Sequence, residues 1–123
     1  AAKFDDVMNF LPSRISGILM VLAAPLVKLD GKNAWKIFKR DRLCHASPNS
    51  AQTESVMAGA LQVQLAGDAW YFGKKHEKPT IGDPIRPVEI ADIARANRLL
   101  YAASALGMIV FNGIKIILLL LLL

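Results

Sequence analysis

The sequence predicts an all-α integral membrane protein, with two transmembrane helices flanking a mixed helical and irregular polar loop, built as part of a larger helical bundle. Three observations predict it. The chain of 123 residues is 54% hydrophobic and has a mean hydropathy of +0.35, above that of an ordinary soluble domain. Its apolar residues stand in two blocks towards the ends. Between them, Lys28 to Arg98 carries twelve Lys/Arg and eight Asp/Glu, and so +4 of the chain's net +5.

Residues 1–28 form a motif segment and the first transmembrane helix. Ile15 to Val27 is continuously apolar but only 13 residues long, between Arg14 and Lys28. A span needs about 20 residues, so the helix must recruit Val7 to Pro12 and keep Arg14 inside. An ionisable residue at that depth either faces protein or water as a functional group or snorkels to the headgroups. Residues 29–98 form the loop with short helices. Asp30-Gly31 reads as a turn. Asn33 is placed to cap a helix from Ala34 to about Arg42, with Trp35 and Phe38 on one side and Lys36, Lys39 and Arg40 on the others. That pattern suits either a bilayer interface or packing on the rest of the protein. Ser47-Pro48-Asn49-Ser50 is a turn, followed by a helix from about Gln52 to Leu65 in which Gly59 and its alanine neighbours permit close helix approach. Gly67 to Pro87 reads as irregular, broken by Gly67, Gly73, Pro79, Gly82, Pro84 and Pro87. Val88 to Arg98 is amphipathic, with Ile90, Ile93, Ala94 and Asn97 at helical spacing. Residues 99–123 are the C-terminal transmembrane helix. This 25-residue block has Lys115 as its only charge and spans about 37 Å, enough for a hydrocarbon core of about 30 Å.

Lys28, Lys32, Lys36, Lys39, Arg40 and Arg42 crowd the end of the first span, which points to a cytoplasmic loop. No aromatic interleaving or recognition motif joins these charges, so nucleic acid is not the expected partner. A single Cys44 excludes an internal disulfide and a cysteine metal cage. His45 and His76 have no zinc-binding spacing. The chain also opens within an apparent motif, Lys3-Phe4-Asp5-Asp6, and two spans are too few to enclose a substrate. The expectation is therefore the C-terminal part of a larger protein, with its remaining N-terminal part as a partner.

Six motifs in order carry a family resemblance. Phe4-Asp5-Asp6-Val7-Met8-Asn9-Phe10-Leu11-Pro12-Ser13-Arg14 resembles the "LDD..N.LPAR" segment of the cobalamin-biosynthesis membrane synthases of the CbiB/CobD type, the adenosylcobinamide-phosphate synthases. Arg40-Asp41 with His45-Ala46-Ser47-Pro48-Asn49 resembles their "RD…HxSPN". Ala58-Gly59-Ala60-Leu61, Tyr71-Phe72-Gly73 and Lys78-Pro79-Thr80-Ile81-Gly82-Asp83 resemble "AGALG", "YFG" and "KPWIGD". The pattern departs at Gln52 and Thr80, where the family usually has Trp, at Ala66-Gly67 in place of a Gly-Gly pair, and at Asp68 in place of Pro. It departs again in the terminal leucine run.

The resemblance implies a bacterial or archaeal cell-membrane enzyme of corrinoid synthesis. It would join aminopropanol or its phosphate to adenosylcobyric acid by an ATP-dependent amide bond, with Mg²⁺. Such chemistry needs oxygen ligands for the metal, cations for phosphate charge and a base for the amine. The corresponding residues are Asp5 and Asp6 for metal, Arg14, Arg40, Ser47, Asn49 and Lys78 for substrate, and His45, Glu54 and Asp83 for catalysis. Asp83 also stands as a metal candidate, projecting beside the His45–Asn49 turn. Two other readings stay open: a non-catalytic membrane signalling protein resembling the AmpE type, and an inactive fragment on the same scaffold.

Overall fold

The first apolar block reaches span length in the way the sequence requires. In the computed structural model, which describes residues 2–45 and 47–123, helix α1 runs over Ala2–Ala23 and continues as a 3-10 turn, Ala24–Val27. The apolar stretch Lys3–Val27 is thus 25 residues long, with Val7–Pro12 absorbed and Arg14 in its interior. Pro12 lacks the N–H that would bond the Met8 carbonyl. One turn on, the Ser13 hydroxyl and the Arg14 guanidinium both donate to the Phe10 carbonyl, at 3.1 and 2.8 Å. The turn stops at Lys28, left-handed at φ 62°, whose N–H donates to the carbonyls of Ala24 and Pro25.

Helix α2, Gly31–Asp41, starts a turn earlier than expected, because Asp30 and not Asn33 is its cap. The Asp30 carboxylate accepts the Asn33 N–H at 2.9 Å, while the Asn33 amide donates across to the Gly59 carbonyl at 2.8 Å. Ala34, Ile37, Phe38 and Asp41 are buried, so the helix packs on the protein; Trp35 lies at its edge, 43% exposed. Its neighbour is α3, Ser50–Leu61. There the small-residue expectation holds: a Cβ on Gly59 would lie 2.6 Å from the Asn33 oxygen and 2.7 Å from Ala34 Cα.

The stretch expected to be irregular contains three short strands, and a fourth precedes it at Leu65, where the helix was expected to end, so the fold is mostly but not wholly helical. Strand β1 (Leu65–Ala66) pairs antiparallel with β4 (Thr80–Ile81), and β2 (Ala69–Tyr71) with β3 (Lys74–His76). Gly67, Gly73 and Pro79 fall between strands and not within them, so each permits a strand on either side, and Gly82 follows the last. Phe72 and Gly73, at φ 53° and 75°, make a two-residue hairpin turn whose twist matches the flanking strands.

Helix α4 is one element from Asp92 to Leu122, beginning four residues after the start of the amphipathic pattern at Val88. Met20, Ala23 and Ala24 of the first helix and turn meet Ala34 and Phe38 of α2, Val56 and Ala60 of α3, and Leu99 and Ala103 of α4 in one core. This core sits at the loop-proximal ends of α1 and α4. Beyond it the long helices expose apolar side chains, from Phe4 to Leu11 on α1 and from Met108 to Leu123 on α4. Both helices are long and apolar enough to cross a membrane.

Candidate functional site

The acidic start of α1 and the Ser47-Pro48-Asn49 turn come from segments about forty residues apart and are joined by polar contacts. The Asn49 amide donates to the Asp6 carbonyl at 2.8 Å, and its oxygen accepts from Arg14 at 3.2 Å and from the Ser13 hydroxyl at 3.4 Å. The Ser47 hydroxyl lies 3.4 Å from the Asp6 carboxylate. Arg14 also stacks on the Phe10 ring, 3.5 Å from its centroid. Its partners are therefore Asn49 and Phe10, with no ion pair to Asp5 or Asp6 among the described residues. Asp5, Asp6, Asn9, Ser13, Ser47 and Asn49 line a cleft of about 460 Å³. Its donors are all hard oxygens and amides, and two carboxylates face it. That set fits Mg²⁺, which keeps several waters and takes one or two carboxylates together with substrate phosphate. Among the described residues no three or more His, Cys, Asp or Glu converge as a closed metal cage.

His45, Glu54 and Lys78 line a second, larger cleft of about 710 Å³, with Leu43, Cys44 and Pro79 as its apolar part. The Ser47 N–H donates to His45 Nδ1 at 3.0 Å. Ala46 of the same motif lies outside the described residues. Glu54 projects from α3 and is half-buried. The Lys78 N–H is held by the Asp68 carboxylate at 3.1 Å.

Arg40 and Asp83 stand together elsewhere. The Arg40 guanidinium makes two 2.9 Å bonds to the Asp41 carboxylate and reaches both Asp83 oxygens at 2.9 and 3.1 Å. Asp41 is buried, and its Oδ2 accepts the Gly82 N–H at 2.8 Å. The Arg40 pairing, helped by that N–H, holds the Asp41 carboxyl below the usual range against the opposing effect of burial, and the Arg40 pKa rises in turn. Gly82 is at φ 83°, and a Cβ there would meet the Val63 oxygen at 2.5 Å. The close approach at Gly82 is thus to the protein's own backbone. Asp83 is turned to Arg40 and is not among the residues lining the His45 cleft.

The ten candidates therefore divide into three groups: Asp5, Asp6, Arg14, Ser47 and Asn49; His45, Glu54 and Lys78; Arg40 and Asp83. Asp41, which ties the last group to α2, was missed as a site residue. Its neighbour in the Arg40-Asp41 motif was the available signal. Gln52 was seen only as a departure from the family pattern. It is buried, and its amide donates to the carbonyls of Arg42 and Pro48 at 3.3 and 3.1 Å, tying α3 to the segments on either side of His45.

The family described as CobD/Cbib protein matches residues 1–100. The chain is 48% identical over 118 residues to the cobalamin biosynthesis protein CobD of Clostridium perfringens, covering 96% of this chain and 38% of that relative. It is 46% identical over 115 residues to the protein of that name from Klebsiella pneumoniae, covering 94% of this chain and 36% of the relative. It is likewise 46% identical over 111 residues to the cobalamin biosynthesis protein CbiB of Salmonella arizonae, covering 90% and 35%. The matched stretch is the C-terminal part of these relatives, so the chain spans little more than a third of their length. No solved structure matches it.

Proposed function

The chain belongs to the CobD/CbiB family, and from that premise we propose that it carries the polar, site-bearing part of a membrane synthase of cobalamin biosynthesis. The reaction is the ATP-dependent joining of aminopropanol or its phosphate to a carboxyl of adenosylcobyric acid as an amide. The observation that carries this reading is the junction of the Asp5-Asp6 segment with the Ser47–Asn49 turn, where two separate motifs of the family pattern meet around one oxygen-rich cleft.

On this reading the smaller cleft takes the phosphoryl groups. Asp5 and Asp6 would hold Mg²⁺, which supplies positive charge against the phosphoryl oxygens. Arg14, held by Asn49 behind the cleft lining, adds a fixed cation next to the cleft, worth most where charge develops in the transition state. The larger cleft, with its apolar floor and its His45 and Glu54, takes the amine and the acyl group. Lys78 at its rim meets a carboxylate or phosphate. Arg40 and Asp83 act from behind as a fixed pair. The long apolar helices lie in the cell membrane, with α4 crossing it, and residues 28–98 face the cytoplasm, where the basic residues gather, together with the Asp5-Asp6 end of α1 that Ser47 and Asn49 touch. The rest of the bundle comes from the part of the relatives that this chain does not span.

A chimera tests this. The chain replaces the matched stretch of the Clostridium perfringens relative, in a strain lacking its own synthase and grown under cobalamin-dependent conditions. Growth restored by the chimera, and lost with Asp6→Asn, is the expected result. A chimera that inserts stably and restores no growth would overturn the proposal.

A further inference from the structure

A backbone amide divides the labour in the larger cleft. The Ser47 N–H donates to His45 Nδ1 at 3.0 Å. A ring nitrogen that accepts a hydrogen bond carries no proton, so the neutral imidazole bears its single proton on Nε2. Nε2 has no partner among the described residues. Neutral His45 therefore offers the cleft a hydrogen-bond donor and not a base. Three carboxylates line the cleft as candidate proton acceptors, Glu54, Asp68 and Glu77, with Asp83 outside it. Asp83 is paired with Arg40. Asp68 is engaged by the Lys78 N–H and then by Lys75, which hold its pKa down. Glu77 is exposed beyond the end of β3. Glu54 is the one of the three that is half-buried, projecting from α3, and it has no hydrogen bond or ion pair among the described residues.

We propose that Glu54 is the proton acceptor for the amine substrate and that His45 is a neutral Nε2–H donor to the carbonyl oxygen under attack. This rests on the amide-forming reading above. The substrate arrives as an ammonium ion, R–NH₃⁺, which the Glu54 carboxylate first binds by charge. One proton passes to Glu54, giving a carboxylic acid and a neutral amine whose lone pair forms the C–N bond to the carbonyl carbon of the acyl phosphate made with ATP. The C–O bond to the phosphate then breaks, and the phosphate leaves with that electron pair and takes up the second proton of the amine. The His45 N–H meets the oxygen as negative charge gathers on it, and keeps its proton throughout.

Two measurements test the proposal. The ¹⁵N-histidine chain in nanodiscs is observed by long-range ¹H–¹⁵N correlation near pH 8.5, about two units above the ordinary imidazole value of about 6.5. His45→Gln assigns the His45 signals. A proton on Nε2 is expected, and a proton on Nδ1 would overturn the donor role. In the chimera, amide formation is then measured with variants. Glu54→Gln is expected to lose roughly 100-fold or more, as is His45→Ala. His45→Gln, whose amide donates from nearly the same position, should recover to within about tenfold of the parent. If His45→Gln is as damaged as His45→Ala while Glu54→Gln keeps the parent rate, His45 is the base and the assignment is reversed. A parent chimera that forms no amide would count against the amide-forming reading itself, and the tautomer measured on the chain would still decide the role of His45.

Discussion

Arg40 was legible as a cation of the family motif, but its partners were not. A lone arginine in a basic loop reads as available to an anion, whereas here its guanidinium is bound to two carboxylates, one buried and one exposed. Only the folding of the Gly82-Asp83 turn onto the end of α2 brings the second one in, and nothing local to Arg40 announces it. Arg14 shows the same limit, since Asn49, its polar partner, lies 35 residues away. Asp41 yields a direct expectation. Its folded pKa lies below the unfolded value of about 3.9, so its pairing contributes stability that is fully present above that value. The contribution is lost as pH falls through the folded value. Asp41→Asn should destabilise the chain by about 1.5–3 kcal/mol at neutral pH, since it leaves Arg40 and the Gly82 N–H with a weaker acceptor. The difference from the parent should shrink below about pH 3.9. Chemical denaturation in mild detergent across that range measures both; a difference independent of pH would remove the charge from the explanation.

At the scale of elements, the long helices were read correctly because apolar length is a property of the sequence alone. The caps were harder. Asp30 and Asn33 are both competent N-cap residues one turn apart, and the periodicity of Trp35 and Phe38 does not choose between them. The choice falls to Asp30 because Asn33 is occupied with the Gly59 carbonyl on α3. The strands were missed because each is only two or three residues long, too short for an alternating pattern, while the breakers between them dominate the stretch. The α2–α3 contact, by contrast, was visible in Gly59 and its alanines. Gly59→Ala should therefore cost about 1–3 kcal/mol, because the added methyl meets backbone that cannot yield. Gly113→Ala, with nothing within 4 Å of its Cβ, should change stability by no more than about 1 kcal/mol, in favour of alanine. Equal effects of the two substitutions would show that α2 and α3 do not approach as closely as described.

For the molecule as a whole, the apolar ends and the polar middle set a topology as well as a site. On the proposed reading, the basic residues between Lys28 and Arg42 put the loop on the cytoplasmic side, together with the Asp5-Asp6 end of α1 that Ser47 and Asn49 touch, and the end of α4 outside. A reporter that is active only in the cytoplasm should work when inserted at Gly73, an exposed hairpin turn, and fail when fused after Leu123. The reverse pattern would invert the orientation. Which motifs would meet was not legible in the sequence: the resemblance supplied their order, and the packing of α1 against the Asn49 turn supplied their junction. That packing separated Asp83 from His45 and put Asp6 beside Ser47 instead. The most direct measurement is of the product. Membranes carrying the chimera are supplied with adenosylcobyric acid, ATP, Mg²⁺ and either aminopropanol or its phosphate, and the corrinoids are identified by mass spectrometry. The expected result is an amide-linked corrinoid formed with one of the two amines only when ATP is present, falling by roughly 100-fold or more in Asp6→Asn. An undiminished yield in Asp6→Asn, or no product from a chimera that inserts and folds, would contradict it.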